Sequence, residues 1–460
     1  MLKKLTLLIA ISMGLGFWAQ SSGFNSQQSL AIAIFFSSVM GTLFFWDFRL
    51  SFALLGTSVL LVTKTIDLEH LIKYSSLEVI LFLVGMMVLV GLLKENGLFI
   101  LISRTLLAAK HITARKLIII ISVISALLSA SIDEVTSIIF MTAAILEVCN
   151  HLDIDPVPLM IMSIFATNIG SFATVLGNPI GILIATKSGL SFEDFIIKAA
   201  PVAILCLLAS IGICIVWYRK ALNEMDRKIK HFKSSEIAAM RIKEPISKGL
   251  KVSLTIFAVT LFFIAIHSRI EHFLGLLPNT VLLTVPLFAS GLVLIWKRHN
   301  ARDRIEKDVE WWTLLFFLLL FAQAGTLKYT GATDVLSRNI INLTGPNSFL
   351  LTSVILWISS IGSAILDNVV IVAALIPAVL SFKELGIATQ PLWWALLFGG
   401  CLGGNITLVG STANIVALGI LEKEKKIRIT FMRWFGVGLT VGITTTIIAW
   451  AVLLFIPWYR

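Results

Sequence analysis

The chain alternates long apolar runs with short polar punctuation. Apolar stretches at 78–93, 197–217, 252–266, 310–327 and 434–456 each approach or exceed the ~17–25 residues a helix needs to cross a hydrocarbon core. The same criterion along the chain predicts spans near 4–20, 28–46, 51–64, 78–95, 157–187, 197–218, 252–267, 279–296, 310–328, 392–420 and 434–456. Two further apolar segments are too short. The run 117–131, only ~22 Å as helix against a ~30 Å core, meets Ser129-Ala-Ser-Ile-Asp133-Glu134 and resumes as far as Val148. Residues 349–382 repeat this around Ser363-Ala-Ile-Leu-Asp367-Asn368. Both predict re-entrant hairpins, 117–148 and 349–382, with tips at membrane depth, where irregular backbone survives only in protein or beside a wet cavity.

Two predicted spans are themselves interrupted. One carries Thr167-Asn168-Ile-Gly170-Ser171-Phe-Ala-Thr174-Val-Leu-Gly177-Asn178-Pro179, the other Gly403-Gly404-Asn405-Ile-Thr407-Leu-Val-Gly410-Ser411-Thr412-Ala-Asn414. Glycine permits backbone excursions, and Pro179 cannot continue a helix ladder. Spans 157–187 and 392–420 are therefore read as pairs of half-helices around unwound middles. Half-helix N-termini attract anions, and unwound carbonyls suit cations.

These features occur twice in register. At an offset of 234, Gly97 meets Gly331, Ser129 meets Ser363 and Asp133 meets Asp367; at 233, Gly170 meets Gly403, Thr174 meets Thr407 and Gly177 meets Gly410. The predicted organisation is a first span and outer loop at 1–27, repeat 1 at 28–218, a basic linker at 219–251 and repeat 2 at 252–456. The amphipathic pieces 97–109 and 331–343 read as interfacial arms. Lys110, Arg115 and Lys116 crowd a loop whose partner, 344–348, is neutral; the non-basic 188–196 is matched by the Lys-rich 421–430. Reversed charge in matching loops predicts opposite threading of the two repeats.

Composition agrees with a polytopic membrane protein: 57% of the 460 residues are hydrophobic and 14% charged, against about 25% charged in soluble domains. The net charge of +11 is topological and implies no nucleic acid. With the N-terminus cytoplasmic and the C-terminus external, the loops 1–4, 47–50, 94–116, 149–157, 219–251, 297–309 and 421–433 lie inside and hold 28 of the 37 Lys and Arg residues, as the positive-inside rule requires. Loop 149–157, with two acids and no base, is the exception. The basic, apolar start resembles a signal peptide; a first span is preferred, with Phe17-Trp18 as interfacial anchor. Cys149, Cys206, Cys214 and Cys401 lack metal-ligand spacing and read as packing residues. No cofactor is implied beyond Na⁺ as a coupling ion.

Asp133 and Asp367 are the leading candidates, because a carboxylate at membrane depth is costly unless it works. They read as cation or proton ligands, with helix capping as the plain alternative. Glu134 and Asn368 stand beside them. Ser129, Asn168, Gly170, Thr174, Gly177 and Asn178, with Ser363, Gly403, Gly404, Asn405, Thr407, Gly410, Ser411 and Asn414, read as substrate-site lining; hydrogen bonding between helices is the alternative. The expected activity is secondary active transport of a small inorganic ion or oxyanion coupled to Na⁺ or H⁺. A passive channel is the runner-up. An intramembrane aspartyl protease is disfavoured because Tyr-Asp and Gly-x-Gly-Asp are absent around these acids.

On Ser129–Thr136, Asp155-Pro156, Thr167–Pro179, Ser363–Val369 and Gly399–Asn414, the chain resembles the ion transporter superfamily. It is most similar to the branch of arsenite permeases, NhaD-type Na⁺/H⁺ antiporters and the P protein, and more distantly to the sodium–dicarboxylate/sulfate symporters. The resemblance implies an all-α protein of about eleven spans and two hairpins, a homodimer in the plasma (inner) membrane, and elevator-like movement. The chain departs in Asp133-Glu134, where relatives carry Asp-Asn, and in Gly177-Asn178-Pro179, where many have Gly-Asp-Pro. The Ser-Asn-Thr tips of the dicarboxylate branch are absent, which argues against di- or tricarboxylates.

Overall fold

The computed structural model describes residues 2–45, 48–107, 113–231, 247–345 and 347–459. Lys110, Pro346 and the 232–246 part of the linker lie outside them. The described residues form helices and their connections, with no strand among them. Among the described residues, nine helices are long and apolar enough to cross a membrane. They include Ser26–Phe44, Leu77–Glu95, Phe192–Trp217, Lys248–Ala265, Trp311–Tyr329 and Phe431–Phe455. A tenth, Thr280–Trp296, turns by 100° into Arg298–Lys307. The protein is an all-α polytopic membrane protein.

The count differs from eleven for a physical reason. The nine include three hairpin arms, Ala114–Ser131, Glu134–Leu152 and Ser348–Ile365, because these run 18 or 19 residues rather than about 15. Thr113 extends the first arm by capping it, accepting from Lys116 N at 3.2 Å. The nine omit Leu2–Ser21, Arg49–Val62, which has only 14 residues, and the two broken spans, whose halves run 10 to 15 residues. Linker residues 219–231 form a helix rather than a loop.

Both interrupted spans are broken where expected. Val157–Ser171 and Pro179–Ser188 flank one irregular stretch, Gln390–Gly403 and Thr412–Lys425 the other. Each hairpin's first arm packs along the first half of its own broken helix. Glycine sets that approach: a Cβ on Gly170 would stand 2.7 Å from the Ala126 carbonyl carbon, and one on Gly403 2.7 Å from that of Ser360.

Polar contacts sort the connections into two sets. Lys228 pairs with Asp153 at 2.9 Å and Arg433 with Asp155 at 3.7 Å; Lys425 meets Asn150, and Arg304 pairs with Glu95. Asp226 accepts from Ala114 N at 2.6 Å. Every partner lies in a connection expected on the basic side, so the acidic 149–157 segment is balanced by its neighbours' cations. The other set holds Arg269–Glu193 at 2.7 Å, Lys187–Glu78 at 2.9 Å, Lys328–Glu384 at 2.6 Å and Tyr329–Asp67 at 3.2 Å. Leu77–Glu95 runs from one set to the other.

Candidate functional site

Four helix N-termini converge in the interior, and a sequence-predicted or adjacent residue caps each. Asp133 accepts from Thr136 N at 2.8 Å and starts Glu134–Leu152. Asp367 accepts from Val369 N at 3.0 Å and starts Asn368–Glu384. Asn178 accepts from Gly181 N at 2.8 Å, and Ser411 from Ala413 N at 3.2 Å. Capping, the plain alternative for the two aspartates, is therefore present. It does not exhaust them: Asp133 lines the main cavity, and the second carboxylate oxygen of Asp367 accepts from Thr412 Oγ1 at 2.6 Å. Converging N-termini concentrate positive dipole ends in a small volume.

The hairpin tips touch. Asn368 Nδ2 donates to both Glu134 oxygens at 3.3 Å, and both side chains are buried. Register partners 234 positions apart thus meet face to face. The broken helices meet through amides: Asn168 Nδ2 donates to Asn405 Oδ1 and Asn414 Oδ1, each at 2.9 Å, while its oxygen accepts from Ser411 Oγ at 3.1 Å. Asn414 Nδ2 donates to the carbonyls of Gly404 (2.7 Å) and Thr407 (2.9 Å), tying the unwound middle together. Asn178 Nδ2 donates to Ser171 Oγ at 2.8 Å and to Cys401 Sγ at 3.1 Å. Cys401 is a weak acceptor as well as a packing residue.

The two threonines behave alike. Thr174 Oγ1 donates to Ala130 O and Thr407 Oγ1 to Ala364 O, both at 2.5 Å, at the ends of the first hairpin arms. Ser363 Oγ donates to Gly400 O at 2.6 Å, whereas its partner Ser129 has a buried hydroxyl with no hydrogen-bond partner. Asn405 Nδ2 is also buried and unpartnered. Gly177 and Gly410 lie against the backbone of Ser171 and of Gly404.

A cavity of 470 Å³ reaches this centre from the basic side, past Lys94, Lys307, Asp308 and Glu310. Its inner wall holds Asp133, Glu134, Leu176, Pro179 and Thr412. Asp367 lines a separate void of 200 Å³; Thr412, bonded to Asp367, joins the two. Asn168, Asn405, Asn414 and the paired glycines sit behind the cavity wall, packed and fully buried.

Two notable cavity residues, Arg49 and Thr412, escaped the sequence reading. Arg49, assigned to a basic-side loop, is the buried first residue of Arg49–Val62 and lines the cavity. It donates to Thr313 Oγ1 at 2.8 Å and lies 5.6 Å from the Phe316 ring centroid. A lone arginine between two apolar runs counts equally well as loop charge, so only its burial identifies it. Thr412 was also passed over; its place just after Ser411 in the second break was the available signal.

Residues 43–399 match the family described as citrate transporter. An uncharacterised transporter of Mycobacterium tuberculosis is 32% identical over 381 residues, covering 81% of this chain and 85% of that protein. The 46 kDa membrane protein of Mycobacterium leprae is 30% identical, covering 86% and 91%. The human P protein is 26% identical over 94% of this chain and 60% of its own length. Among solved structures, the YdaH transporter of Alcanivorax borkumensis shares the fold, with a TM-score of 0.54, 14% identity and coverage of 84% and 86%. The two central breaks, the touching tips and these relatives agree: the chain is a transporter, not an enzyme, and belongs to the citrate transporter family of the ion transporter superfamily.

Proposed function

We propose that this protein is a secondary active transporter of a small inorganic ion or oxyanion, coupled to Na⁺ or H⁺ and working by alternating access. The observation that carries this reading is the convergence of four capped helix N-termini on a centre that the 470 Å³ cavity reaches from the basic side. Asp133 and Asp367, with Glu134 and Asn368, would hold the coupling cation or proton; their oxygens, Thr412 Oγ1 and nearby carbonyls form the hard donor set Na⁺ prefers. The substrate would sit in the cavity against the edges of the broken-helix middles, beside Leu176, Pro179 and Thr412. Ser129, Asn168, Thr174 and Asn178 on one side and Ser363, Asn405, Thr407, Ser411 and Asn414 on the other would hold those middles in place from behind the cavity wall. Converging N-termini and the buried Arg49 favour an anion over a cation.

The two halves would be antiparallel repeats. Hairpins and broken helices would move as a unit against Arg49–Val62, Leu77–Glu95, Thr280–Trp296 and Trp311–Tyr329, elevator-fashion. A homodimer in the plasma membrane, with cytoplasmic N-terminus and external C-terminus, completes the reading on the resemblance and the charge asymmetry.

A second reading, an organic carboxylate such as citrate, is favoured by the family description and by Arg49, whose planar fork suits a carboxylate. Proteoliposome flux with arsenite, sulfate, citrate and Na⁺, each under imposed pH or Na⁺ gradients, separates these. Uphill accumulation of arsenite or sulfate supports the first reading and of citrate the second; downhill flux alone means a channel.

A further inference from the structure

On the side away from the main cavity lies a void of only 50 Å³, between Trp311–Tyr329 and the second hairpin arm Asn368–Glu384. Its wall has a register relation to the large cavity. Nine of its twelve residues have a partner, 233 or 234 positions away, in the wall of the 470 Å³ cavity. Tyr74 corresponds to Asp308, Ser76 to Glu310, Gly325 to Gly91, Lys328 to Lys94 and Lys187 to Ile420. The packing corresponds too. The Asp308 side chain occupies the space a Cβ would take on Gly91, and the Tyr74 side chain does the same at Gly325. The same construction is thus wide on one side of the molecule and shut on the other.

The shut side has a feature the wide side cannot have. Lys187–Glu78 (2.9 Å) and Lys328–Glu384 (2.6 Å) both cross from the framework helices Leu77–Glu95 and Trp311–Tyr329 to the hairpin and broken-helix unit. Lys328 Nζ also reaches Ser381 Oγ at 3.0 Å. The register partners of these four ionic residues are Ile420, Trp312, Lys94 and Asn150. They supply a single charge, so no equivalent ion pair can form across the wide side.

We infer that the 50 Å³ void is the collapsed second vestibule of the transport path, and that Lys187–Glu78 and Lys328–Glu384 are the latch holding it shut. The inference rests on the alternating-access reading and adds to it the entrance that opens when the large cavity closes. The latch biases the resting protein toward the state open on the basic side.

The test uses full-length protein carrying Ala373→Cys, a substitution in the void wall, in oriented membrane vesicles. The four native cysteines are buried and give the background. A membrane-impermeant thiol reagent is applied from the face bearing Glu193 and Asp67, with and without Glu78→Gln and Glu384→Gln. Two partly exposed ion pairs, each worth a few-fold in the equilibrium, give an expected rise in labelling rate of about fivefold or more. An unchanged rate in variants that elute like the parent would overturn the latch. If the double variant does not assemble, Lys187→Gln alone, expected to rise about twofold, decides by the same readout. Labelling needs no substrate. Failure of every ion to accumulate uphill in the parent sinks the transporter reading, whereas intact flux with unchanged labelling sinks only the latch.

Discussion

Gly403→Ala is the sharpest test of the packing that holds the broken helices in place. The added Cβ would meet the Ser360 backbone, with the carbonyl carbon and Cα both at 2.7 Å and the oxygen nearer still. Backbone cannot swing aside as a side-chain tip can, so helix Ser348–Ile365 and Gln390–Gly403 must part. Overpacking costs about 1–3 kcal/mol and more when backbone must shift; the helical preference of alanine returns up to about 1 kcal/mol. A net loss of about 2 kcal/mol follows. Gly170→Ala, which meets Ala126 in the same way, should cost a similar amount. Gly212 and Gly419 are internal controls: both are helical, and a Cβ there meets nothing within 4 Å. Alanine at either should be neutral or stabilising by up to about 1 kcal/mol. The assay is the temperature at which half the detergent-solubilised protein leaves the monodisperse gel-filtration peak. Gly403→Ala should fall below the parent and Gly419→Ala should not. A Gly403→Ala protein as heat-resistant as Gly419→Ala would refute the close backbone approach and, with it, the placement of Asn405 two residues on.

Asn168→Ala removes three hydrogen bonds joining the two halves; at ~0.6 kcal/mol per membrane bond it should lower stability by about 2 kcal/mol, measured on the same column. Thr412→Val keeps the shape but removes the 2.6 Å bond to Asp367. A hydrogen bond to a charged group is worth about 1.5–3 kcal/mol, so coupled flux should fall at least tenfold at unchanged expression, and parental flux would remove Thr412 from the site.

Much of this was legible because membrane-depth backbone obeys few rules. Apolar runs gave the spans. Gly-rich stretches around Asn168–Pro179 and Gly403–Asn414 gave both breaks within a few residues, since a helix cannot pass them unbroken. The shared register gave Asp133 with Asp367 and Thr174 with Thr407, and the threonines turn out to make the same bond. Three things were not legible. Hairpin arm length depends on caps such as Thr113 and on Asp226, 112 positions away in sequence. The burial of Arg49 depends on its contacts with Thr313 and Phe316 on a distant helix. The division of the central polar set into cavity wall and sealed amide core depends on which side chain points where, and composition carries no trace of that.

The two tips differ at the register pair Glu134 and Asn368, which is also where they touch, and the difference explains the contact. If both tips carried glutamate at 134 and 368, two carboxylates would face each other in a buried space. Two asparagines would give a neutral, weaker pair. Glu134 with Asn368 sets one carboxyl against one amide, whose Nδ2 serves both oxygens. The contact should therefore depend on there being one of each and less on which tip carries which. Asn368→Glu alone should be the most damaging change, since opposed like charges cost several kcal/mol. Glu134→Asn alone should be milder. The double variant Glu134→Asn/Asn368→Glu restores one acid and one amide across the same register pair and should recover most of the thermal stability lost in Asn368→Glu. A double variant no more stable than Asn368→Glu would mean that Glu134 answers to its own surroundings rather than to the opposite tip. The tips would then meet by packing alone.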